Sequence, residues 1–116
     1  MSTAPATPAL SDAEYHRETE ALLSRIEAAT DRWLDTDVVD IDTQRTGGLL
    51  ELSFVGGSKI VVNTQPPLHE VWLAARAGGY HYRWAAGRWL DTRDGSEFFA
   101  TLSQQASQQA GKALQF

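Results

Sequence analysis

Asp12, His16, Glu20, Glu27 and Asp31 follow one another at spacings of four and seven residues. On a helix turning 100° per residue, with His16 as zero, they fall at about −40°, 0°, +40°, +20° and +60°. Four carboxylates and one imidazole therefore share a stripe about 100° wide. Leu23, at about −20°, interrupts it. Like charges at these spacings repel and give the helix nothing. Such a stripe binds a cation or a basic partner, or it only keeps a small protein soluble. Exposed carboxylate oxygens with at most one imidazole suit hard cations: iron, manganese, calcium or magnesium. Binding there is expected to be weak, loosely specific and sensitive to salt. A shallow patch on a helix excludes little water, so catalysis within a monomer is not expected.

The elements that must carry this stripe can be read from the chain. Met1 to Leu10, rich in Ala, Pro and Thr, reads as a flexible tail ahead of one domain over residues 11–116. Ser11-Asp12-Ala13-Glu14 has the form of a capping box. Tyr15, Thr19, Leu22, Ile26 and Ala29 follow at helical spacing, which predicts a helix to about Arg32. Asp35-Thr36-Asp37 reads as a turn.

Val38 to Gln44 alternates and predicts a strand, with Asp40 and Asp42 on one face. Beside the helix, these two extend the acidic stripe. Thr46-Gly47-Gly48 predicts a hairpin turn, Leu49 to Val55 a strand, Gly56-Gly57 a turn and Lys59 to Asn63 a third strand. Gln65-Pro66-Pro67 breaks the ladder. His69 to Ala75, Tyr80 to Trp84 and Arg88 to Asp91 predict three more strands. Asp94 and Glu97 fit a second capping box, for a helix from Phe98 to Ala110-Gly111. The order is one helix, about six short strands and one helix. Hairpin-length links imply an antiparallel sheet with both helices on one face, a two-layer α+β sandwich. The other face is left open to water.

On that open face Trp72 falls between Val71 and Leu73, whose alternation points to the core. Asn63 and Gln65 present amides on the same side. Exposed tryptophan beside planar amides reads as a protein contact. His16 reads as a helix-surface residue, and His69 and His81 as strand residues alternating with apolar ones. His16 is the best candidate ligand of the three, because Asp12 and Glu20 stand one turn to either side.

Composition narrows the function. The 116 residues carry a net charge of −5. Through residue 42 there are ten acids and three bases; beyond it there are five acids and seven bases. The acidic segment would repel nucleic acid. No Cys is present, which excludes disulfides, thiolate metal sites, cysteine nucleophiles and clusters on this chain's own cysteines. No apolar run approaches the ~18 residues of a membrane span, and no secretory signal is visible. A cytoplasmic monomer without membrane contact is the expectation. Gly47-Gly48 and Gly56-Gly57 lie between strands, so no phosphate loop is expected, and no nucleophile elbow accompanies the serines.

The stretch Asn63-Thr64-Gln65-Pro66-Pro67-Leu68-His69-Glu70-Val71-Trp72-Leu73-Ala74 resembles the N-x-Q-x-P-x-x-x-x-W-L segment of the frataxin family. The acidic start Ser11 to Arg17, Gly47-Gly48, Phe54 with Gly57-Ser58-Lys59-Ile60, and Gly78 to Tyr82 are similar to bacterial members. So is the ending Gln104 to Gly111. The likeness covers the chain after its tail.

The resemblance implies the same sandwich and a role as an iron-binding accessory of iron–sulfur cluster assembly. It implies a ridge that binds ferrous and ferric iron and docks on the cysteine desulfurase–scaffold complex. Carried over, the metal set is Asp12, His16, Glu20, Glu27, Asp31, Asp40 and Asp42. The partner set is Glu20, Glu27, Asp31, Asp40 and Asp42, with Asn63, Gln65 and Trp72 on the sheet. Ala28, Arg32, Gln44 and Val55 stand where bacterial members often carry acids, so this ridge is thinner. Two other readings stay open: an iron store or ferroxidase that oligomerises around iron, and an acidic adaptor whose metal binding is incidental.

Overall fold

The structure is a computed structural model that describes residues 9–116. Most of the expected tail, residues 1–8, lies outside the described residues. Leu10 is half-buried against the core, at the position of a hydrophobic staple just before the helix cap.

Helix α1 spans Asp12–Asp35. Its capping box forms as the sequence predicts: the Glu14 amide donates to Ser11 Oγ at 3.1 Å, and the Ser11 amide donates to Glu14 Oε1 at 2.9 Å. These bonds hold the Glu14 carboxyl below its ordinary value. The helix runs three residues past the predicted end, because Trp33 continues the buried stripe of Leu22, Ile26 and Ala29.

Six strands follow in a meander, each pairing antiparallel with the next: β1 Ile41–Thr46, β2 Leu49–Phe54, β3 Lys59–Gln65, β4 Glu70–Ala75, β5 Gly78–Ala85 and β6 Arg88–Asp91. Helix α2, Phe98–Ala110, closes the layer and ends on the left-handed Gly111. The predicted architecture is the observed one.

The core lies between sheet and helices. Leu50, Leu52, Ile60, Val62, Val71, Leu73 and Tyr82 face Tyr15, Leu22, Leu23, Ile26, Phe98 and Leu102, all essentially without exposure. Burying one such side chain contributes about 1.5–3 kcal/mol. Gly48 in the first hairpin is required, since a Cβ there would run into the Thr64 side chain.

Three local expectations are corrected. The first strand begins at Ile41, so Asp40 precedes it. His69 is not in a strand. Pro66–Leu68 form a single 3-10 turn, and His69 ends it in the left-handed region at φ 50°. The second capping box does not form: Glu97 is itself the N-cap of α2, accepting from the Phe99 and Ala100 amides, while Asp94 caps a turn through the Ser96 amide.

Candidate functional site

The acidic stripe lies along the seam between α1 and β1. Leu23, which interrupts it on the helical wheel, is buried, so the stripe borders the core on that side. Glu27 is half-buried, while Asp12, His16, Glu20 and Asp31 are exposed. The register Ile41↔Phe54, Thr43↔Leu52 and Arg45↔Leu50 sets Ile41, Thr43 and Arg45 on the helix side of β1. Asp42, opposite Ser53, faces the other way. The expected continuation of the stripe along the strand is therefore corrected at Asp42, while Asp40 stands exposed in the α1–β1 connection. Strand parity sends Asp42 to the far face, and Asp40 lies outside the strand.

A base enters the stripe instead. Arg45 reaches across the seam and donates one terminal nitrogen to Glu20 and the other to Glu27, the latter at 2.9 Å. The Arg45 hydrogen bond is the main reason the Glu20 carboxyl lies below its ordinary value. The bond to Glu20 likewise raises Arg45. This residue was missed in the sequence. The available signal was Leu23, which marks the stripe as a seam rather than a free face.

At the N-terminal end of α1, Asp12 meets His69, with Oδ1 2.7 Å from Nε2. The His69 ring stacks on Tyr15, centroids 4.8 Å apart, and His16 packs edge-on against the same ring. Tyr15 fastens the helix to the sheet: its hydroxyl donates to the Glu70 carbonyl at 2.6 Å and accepts from the Gln65 amide at 3.0 Å. Burial pushes this phenol up. Among the described residues, no three His, Asp or Glu side chains converge as a group that could hold a metal ion. The donor chemistry suits a hard cation, but the side chains as placed do not build a closed site.

On the open face, Asn63, Trp72 and His81 stand directly across from one another on β3, β4 and β5. Trp72 is half-buried and stacks on His81. The next row is Gln65, Glu70 and Arg83. Glu70 is only 5% exposed. Burial opposes its ionisation, yet Trp72 Nε1 on Oε1 and Arg83 Nε on Oε2, each at 2.8 Å, hold it below its ordinary value. The structure thus adds Glu70, His81 and Arg83 to the expected sheet-face residues.

An antiparallel meander with a helix at each end of the chain, both on one face, and an acidic first helix define the class of protein. The frataxin-like domain family model matches residues 8–112, and the chain belongs to the frataxin family. It is 51% identical over 107 residues to the iron-sulfur cluster assembly protein CyaY of Variovorax paradoxus (strain S110), covering 92% of this chain and 97% of the relative. Identity is 50% over 107 residues to the CyaY protein of the same description from Polaromonas sp. (strain JS666 / ATCC BAA-500), covering 92% of each. Among solved structures, frataxin from Psychromonas ingrahamii superposes with a TM-score of 0.82 at 33% identity, over 91% of this chain and 97% of that one. Trimeric frataxin from the yeast Saccharomyces cerevisiae, complexed with ferrous iron, shares the fold with a TM-score of 0.66 at 22% identity, over 94% of each chain. No helix of the described residues is long and apolar enough to cross a membrane.

Proposed function

We propose that this chain is an accessory protein of iron–sulfur cluster assembly, without catalysis of its own. It docks through the α1 ridge on the cysteine desulfurase–scaffold complex and modulates it according to iron. The observation that carries this reading is the row of carboxylates along a rigid helix, already seating one guanidinium. A basic patch on a partner offers the same chemistry many times over. The names of the curated relatives supply the assembly process, and the yeast neighbour supplies ferrous iron as the candidate cation. Iron would meet Asp12, His16, Asp31 and the acids after α1 as a weakly held surface cargo. Asn63, Gln65 and Trp72 form a second contact on the sheet.

The test is binding to a desulfurase–scaffold complex, measured without oxygen, with and without ferrous iron. Charge reversal at Glu27 and Asp31 is expected to weaken docking by about tenfold or more, as for charged interface pairs. Unchanged docking removes the ridge from the mechanism.

A second reading is favoured by one observation. Glu20 and Glu27 seat a guanidinium, as the acids of an adaptor whose metal binding is incidental would. Docking that ignores iron selects this reading.

A further inference from the structure

The Arg45 side chain is 23% exposed, against 62% for Glu20 and 31% for Glu27. Its backbone is fixed by the β1–β2 ladder opposite the fully buried Leu50, so its direction across the seam is set by packing. Glu20 and Glu27 lie about two helical turns apart, near 10 Å along the axis. Their side chains nonetheless converge on the two terminal nitrogens of one guanidinium, which fills the gap between them with two separate bonds. Because Arg45 belongs to the chain, it competes at a high effective concentration against anything in solution. A hydrated dication must displace both pairings and shed water. An arginine offered by another protein replaces like with like.

We propose that Arg45 is a built-in occupant that closes the Glu20–Glu27 stretch of the ridge to divalent cations and reserves it for guanidinium groups. This rests on reading the ridge as the binding surface. It divides that surface: the middle of α1 is a seat for arginine, and cations are left to its two ends.

The test uses the full chain with 13C-labelled glutamate side chains, titrated with calcium as a diamagnetic hard cation. In the Arg45→Gln variant the Glu20 and Glu27 carboxylate carbons are expected to shift. Their calcium midpoint should lie up to roughly fivefold below that of the unaltered chain, the scale on which exposed ion pairs compete. Adding Glu20→Gln to that variant is expected to return the Glu27 calcium midpoint toward that of the unaltered chain. If Arg45→Gln does not fold, Arg45→Lys serves, since one ammonium cannot span both carboxylates and frees one of them. Equal midpoints with and without Arg45 overturn the proposal, and so does a calcium-silent pair in both proteins. Neither result touches the docking reading, which stands or falls on desulfurase binding by the Glu27 and Asp31 reversals.

Discussion

The indole of Trp72 lies flat on the imidazole of His81, with ring centroids 4.2 Å apart and planes 8° from parallel. The two residues are directly paired across β4 and β5, so the stack follows from the register. It presents a rigid aromatic surface on the face that carries no helix. Rigid, half-exposed aromatics are the usual anchors of protein contacts. Trp72→Ala is expected to weaken binding to the desulfurase–scaffold complex by about tenfold or more. Binding of a folded variant at full strength would remove the sheet face from the interface. Trp72→Phe keeps a ring over His81 but leaves Glu70 Oε1 without the indole N–H, and so isolates the hydrogen bond from the stack.

Glu70 gives the fold a defined response to acid. A carboxylate whose folded value lies below its unfolded one stabilises the fold fully above the unfolded value. That contribution is lost as pH falls through the folded value. The ordinary value is 4.5, and Glu70 lies below it. Glu70→Gln is expected to cost about 1–3 kcal/mol at neutral pH, through weakened hydrogen bonds to Arg83 and Trp72. The difference between the two proteins should shrink as pH falls below the ordinary carboxylate value. Thermal melts from about pH 7 to pH 3 check this. A difference that holds constant across the acid range would contradict it.

Tyr82 carries the opposite kind of feature. Its hydroxyl is buried and makes no hydrogen bond of ordinary geometry, Thr101 being the side chain nearest to pairing with it, and burial pushes the phenol up to about 12. An unpaired buried hydroxyl costs about 1–3 kcal/mol. Tyr82→Phe removes that cost and keeps the ring against Phe98 at 5.1 Å. The variant is expected to be at least as stable as the parent in urea unfolding. A clear loss of stability would mean that the hydroxyl is satisfied in solution.

Most of the fold was legible because alternation in Leu49 to Phe54 and Lys59 to Asn63 fixes which side chains enter the core. Once Val71 and Leu73 are buried, Trp72 must lie outside. The misses along the ridge share a cause. Periodicity fixes relative faces within an element, not which neighbour each face meets. Asp42 alternates as expected, and Asp40 falls just ahead of the strand. The register Ile41↔Phe54 then turns the strand so that Arg45, not Asp42, faces α1.

His69 was unreadable as a strand-breaker because its left-handed backbone is imposed by the 3-10 turn of Pro66–Leu68. The second cap moved to Glu97 because Gly95, at φ 75°, bends the chain before the helix. Propensity identifies a capping letter, but the turn geometry around it decides which letter caps.

The ridge is the centre of the account, and ferrous iron addresses it most directly. Backbone amide spectra recorded during an anaerobic ferrous titration are expected to lose signals along α1 and the α1–β1 connection, around Asp12, His16, Asp31 and Asp40. Amides of Asn63, Trp72 and His81 on the open face should keep theirs. Loss of signal on the open face instead, or none anywhere at millimolar iron, would contradict the iron-linked reading of the ridge.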